Sequence, residues 1–83
     1  MTINYLEILN LAEQNQWEKA HQLVQPHYEP MACLIHAYLH RVEGDLSNAR
    51  YWYNQAHVQI PSNTLPEEFE RLSAMVQNQS IIK

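Results

Sequence analysis

Between His36 and His57 the chain reads HAYLHRVEGDLSNARYWYNQAH, a stretch dense in imidazoles, acids, amides and consecutive aromatics. His36 and His40 stand four apart, which puts both imidazoles on one face if the segment is helical. Glu43 continues that face by one turn, and Cys33 precedes it. His-x-x-x-His is the ligand spacing of zinc-protease helices, but the intervening residues are Ala37, Tyr38 and Leu39. The general-base glutamate of that motif is therefore missing. A metal would have to draw its third ligand from Glu43, Cys33 or another helix. The sequence by itself nominates no metal set and no cofactor.

Two other chemistries fit the same residues. A pocket formed by His36, His40, Glu43, Asn48 and Tyr53 would orient a small polar ligand, and a perturbed histidine there would act as acid or base. Alternatively, the imidazoles are buried between helices and paired with Tyr53, Asn48, Glu43 or Asp45. That arrangement is a satisfied polar seam without catalysis, and it is the expected one. Nothing supplies a nucleophile: Cys33 is expected in the core, where a thiol is inert. A glycine-rich phosphate loop is absent, since Gly44 is the single glycine. The balance favours binding over catalysis. His21 lies on the side of a separate helical segment with no role assigned, and His27 reaches the seam only if its linker folds back.

The rest of the composition narrows the partners. A chain of 83 residues with 46% hydrophobic content makes one small domain, whose modest core gains from a partner subunit or ligand. The formal charge of −4, with five dispersed basic residues, excludes an electrostatic nucleic-acid surface. It excludes a basic membrane-binding face as well. Cys33 has no cysteine to pair with, so a reducing, cytoplasmic setting is expected. The opening MTINYLEILN has neither the charged lead nor the apolar run of a signal peptide or anchor.

These residues must be positioned by helices, and apolar spacing marks five. The first covers about 4–14, with Asn4 and Glu7 at capping-box spacing. The second covers about 17–25 and ends at Pro26. Pro30 opens the third, about 30–43, whose apolar residues run nearly all round it, as befits a central helix. Gly44 suits a left-handed helix end and Asp45 caps the next helix, about 46–60, which Pro61 stops. Thr64 and Glu67 frame a capping box for the fifth, about 65–78. Tyr51 points outward from the fourth helix beside Val58. With Ile81 and Ile82 of the tail, it makes the expected contact surface.

In CLIHAYLHRVEGDLSNARYWYNQAHVQIP, Ala37, the Gly44–Asp45 turn, Ala49, Tyr53, Ala56 and Pro61 resemble one tetratricopeptide repeat. Trp17 and Ala20 align with Leu46 and Ala49 at a spacing shorter than the usual ~34 residues, so the first hairpin resembles a shortened repeat. The resemblance implies stacked helical hairpins that bind proteins or peptides. The His36–Tyr53 stretch also resembles a family of small helical proteins of uncharacterised function. The expectation is an all-α domain over 1–83, with five short helices forming two stacked hairpins and a C-terminal capping helix. It is expected to work as a cytoplasmic protein–protein interaction module, with a protein partner or a second copy bound. The alternative is a small-molecule-binding or enzymatic protein using the His36, His40, Glu43, Asn48 and Tyr53 cluster.

Overall fold

The computed structural model describes residues 3–81, with side chains as far as residue 78. Its elements are α1 (Tyr5–Glu13), α2 (Trp17–Val24), α3 (Pro30–Val42), α4 (Leu46–Gln55) and α5 (Leu65–Ile81). The fold is all-α, with no strand among the described residues.

Local chemistry sets the helix starts. Asn4 Oδ1 accepts the amide of Glu7 at 3.0 Å, and Asp45 Oδ1 accepts that of Asn48 at 3.2 Å. Thr64 and Glu67 complete a reciprocal box, each side chain bonding the other's amide. Pro30 occupies the first turn of α3, where its missing N–H costs nothing.

Three helices end in the same way. Asn15, Gly44 and His57 all take positive φ, and the next amide reaches back five residues to close the turn. Those bonds are Gln16 N to Leu11 O at 2.9 Å, Asp45 N to His40 O at 2.9 Å, and Val58 N to Tyr53 O at 3.1 Å. Here α4 departs from expectation. It stops at Gln55 rather than running on to Pro61, because the left-handed turn at His57 has already terminated it. Val58 therefore lies beyond the helix, and both it and Tyr51 are exposed. In the other direction, α5 continues to Ile81, past the expected end at 78. The Ile81 side chain and all of Ile82 lie outside the described residues.

α3 is the hub. Every residue from Met31 to His40 is buried, which requires neighbours on all sides, and α3 packs against each of the other four helices. Ile35 and Leu39, both fully buried, each contribute about 1.5–3 kcal/mol by leaving water. α1 pairs with α2 and α3 pairs with α4, while α5 lies against α3 and α1. Leu72 and Val76 seat α5 in the core, with Phe69 beside Tyr38. No helix among the described residues is long and apolar enough to cross a membrane.

Candidate functional site

The i, i+4 spacing on α3 places the His36 and His40 rings side by side, with centroids 5.0 Å apart. Both are buried, His36 to 2% exposure. Of the partners expected for a polar seam, Asn48 and Tyr53 form no hydrogen bond with either ring among the described residues, whereas Asp45 comes within 4.8 Å of His40 together with Glu43. His21 of α2 joins both rings. Its Nε2 lies 3.1 Å from His36 Nε2, and its ring stands edge-on to both α3 imidazoles. One nitrogen from each of the three rings falls within 4.8 Å of the others. Glu43, at the C-cap of α3, places Oε1 2.6 Å from His40 Nδ1. That bond leaves the other His40 nitrogen available to a ligand.

Two tryptophans hold this cluster. Trp17, one turn before His21, stacks on it with ring centroids 4.7 Å apart and planes 10° from parallel. The Trp17 indole N–H donates to the Leu39 carbonyl at 2.6 Å, fastening α2 to α3. Trp52 of α4 stacks on His36 at 4.0 Å and 12°. Beyond Trp52 the rings continue to the surface. Tyr28 lies nearly parallel to it at 5.8 Å, and Tyr51 meets it edge-on at 5.1 Å. Tyr28 is 70% exposed and Tyr51 53% exposed. A continuous set of aromatic contacts therefore runs from buried imidazoles to solvent.

Burial makes protonation of His36 and His21 costly. It pushes His36 down from 6.5 to about 4, with the neighbouring His21 and His40 adding to the effect. His21 is also lowered, by burial first and then by His40, while Glu43 and Glu18 pull the other way. At neutral pH both rings are therefore uncharged, the state in which imidazole binds a metal or accepts a hydrogen bond. His36 Nδ1 is buried with no hydrogen-bond partner among the described residues. An orphaned polar atom of that kind costs about 1–3 kcal/mol. A shallow groove of about 220 Å³, lined by Trp17, Glu18, His21, Gln22 and Gln25, opens on the His21 side.

Of the five residues expected to form a pocket, His36, His40 and Glu43 come together. Asn48 instead bonds Asp45 at the start of α4, its Nδ2 donating to Oδ2 at 3.1 Å. Tyr53 belongs to a second polar centre, built on Glu68. That carboxylate is 0% exposed. It accepts from Tyr53 Oη, Asn63 Nδ2, Arg71 Nε and Arg71 Nη2, each at 2.8 Å. Burial alone would push the Glu68 carboxyl up, but those donors outweigh it and hold it below its ordinary range. Arg41 bridges Asn63 to Tyr53 from α3. This centre locks α5 and the preceding loop onto α4 and holds no free donor set. On sequence Glu68 reads as a helix-start acid, because nothing local distinguishes it from Glu70 once Glu67 is assigned to the capping box. His21 and Trp17 share a face of α2 by their spacing of four, and that was the available signal for a third imidazole.

Compared with known proteins, the chain matches no family model, and no curated protein or solved structure matches it.

Proposed function

We propose that the protein is a small cytoplasmic protein–protein interaction module, in which tetratricopeptide-like hairpins serve binding rather than catalysis. The observation that carries this reading is the exposed pair Tyr28 and Tyr51, both in ring contact with Trp52, which itself rests on buried His36. Interface energy concentrates in aromatic anchors on rigid support, and here two tyrosines from separate segments share one such support. The pairing of α1 with α2 and of α3 with α4 supports the stacked-hairpin scaffold. Cys33, buried and unpaired, is compatible with a reducing compartment. The partner is a protein or a second copy of the chain, and Tyr28–Trp52–Tyr51 is its docking surface.

A photoreactive phenylalanine analogue placed at Tyr51 in the full chain tests this, with the same analogue at exposed Gln22 of α2 as control. Discrete crosslinked species from position 51 alone support the surface. Tyr51→Ser should abolish the same association in sedimentation experiments while changing stability by less than about 0.5 kcal/mol. Equal crosslinking from both positions, or none from position 51, would refute it. A ligand-binding role for the histidines rests on a separate observation, the convergence of His21 on His36 and His40.

A further inference from the structure

We propose that His21, His36 and His40 form a binding site for a divalent transition metal of the zinc class, with Glu43 as its outer carboxylate. Zinc–imidazole bonds of about 2.0–2.1 Å arranged tetrahedrally separate their nitrogens by about 3.3 Å. His21 Nε2 and His36 Nε2 stand 3.1 Å apart, close to one edge of such a tetrahedron. With all three donor nitrogens within 4.8 Å of one another, closing the remaining edges takes at most about 1.5 Å of side-chain motion. Rotation of the half-buried His21 ring supplies part of it.

The outer contacts are those a metal-binding imidazole needs. A ligating histidine commonly donates its second ring N–H to a carboxylate, which fixes the tautomer and raises the basicity of the ligating nitrogen. His40 makes that contact with Glu43 at 2.6 Å. Trp17 and Trp52 hold the His21 and His36 ring planes by stacking. The carboxylates of Glu43 and Glu18 both act on His21, and their charge offsets that of an entering cation. Three imidazole nitrogen donors favour zinc, cobalt, nickel or copper and disfavour magnesium and calcium, which take oxygen. Three protein ligands leave a fourth position open, and the groove that His21 lines lies beside the cluster.

The experiment titrates the metal-free full chain with Zn²⁺ by calorimetry and with Co²⁺ by visible absorption. The expected result is one equivalent bound, the strong visible bands of tetrahedral cobalt, and no heat with Mg²⁺. His21→Gln should weaken Zn²⁺ binding by at least about 100-fold, and Glu43→Gln by about 10–100-fold. A His27→Gln, His57→Gln double variant removes the two histidines outside the cluster and should bind as wild type does. His21 is half-buried, so its variant is expected to fold, and circular dichroism checks that. The wild-type titration decides the matter even if a variant fails. Absence of stoichiometric binding, or binding that survives His21→Gln and disappears in the double variant, would overturn the site.

Discussion

Lowering the pH from about 7.5 to about 5 in the presence of a chelator tests the histidine cluster as a structural unit. His36 has a proton affinity near 6.5 when unfolded and about 4 when buried in the fold. Between those values the unfolded chain binds the proton and the native chain does not, so stability rises with pH and is lost as pH falls. At about 1.4 kcal/mol per pH unit of difference, the full loss is about 3 kcal/mol, complete below pH ~4. By about pH 5 roughly 2 kcal/mol of it has gone, while ordinary carboxylates contribute only about 0.2 kcal/mol each. His21 is shifted in the same direction and adds to the loss. For a domain whose total stability is about 5 kcal/mol or somewhat more, that is a large fraction. Urea unfolding followed by tryptophan fluorescence at the two pH values measures it. His36→Phe keeps a ring stacked on Trp52 and removes the titration, so its stability should fall by much less over the same interval. Wild-type stability that changes by less than about 0.5 kcal/mol, or a His36→Phe variant with the full wild-type drop, would show that the imidazole is not held neutral by the fold.

Two backbone substitutions should have opposite signs. Gly44 sits at φ 87° with nothing near its Cβ position, so Gly44→Ala should cost about 1–2 kcal/mol through conformation alone, read as a lower urea midpoint. His57→Gly relieves the same strain at φ 66° and should stabilise by up to about 1 kcal/mol. In the second polar centre, Glu68→Gln removes the charge that the Arg71 fork and two further donors surround. Because Arg71 remains half-exposed and regains water, the expected loss is about 2 kcal/mol, well under the 3–5 kcal/mol typical of a fully buried pair broken on one side. Thermal or urea unfolding should also show Arg71→Met adding little to Glu68→Gln, and full additivity would refute the coupling.

Helix number and the central place of α3 were legible because periodicity and caps are local signals. Asn4, Asp45 and Thr64 cap as their types require, and Gly44 adopts the left-handed turn that its isolation in the sequence announced. The end of α4 was misread because proline is a visible stop, whereas a left-handed histidine is not. Half of the site was equally plain: i, i+4 spacing on a buried helix brings His36 and His40 together whatever surrounds them. Tyr53 was assigned to the wrong polar centre. Its position on α4 puts it in the core, but only tertiary packing decides whether its hydroxyl meets histidine or Glu68. Glu68 itself escaped notice because its burial depends on Arg71, Asn63 and Tyr53 arriving from three places at once.

The third imidazole joins through the docking of α2, which makes the site and the hairpin packing a single problem. With eight residues, α2 is too short to be stable alone, so tertiary contacts must hold it. Ala20 and Val24 bury against the core, Trp17 bonds the Leu39 carbonyl, and His21 rests on His36. Two of those four residues, Trp17 and His21, contact α3 directly, and both belong to the histidine cluster. A ligand that joins His21 to His36 and His40 would therefore stabilise the α2–α3 contact by mass action. The segment joining α2 to α3 carries Tyr28, whose ring lies on Trp52 and whose carbonyl accepts from Cys33 Sγ of α3. The buried imidazoles and the exposed tyrosines meet at one ring, because His36, Tyr28 and Tyr51 all contact Trp52.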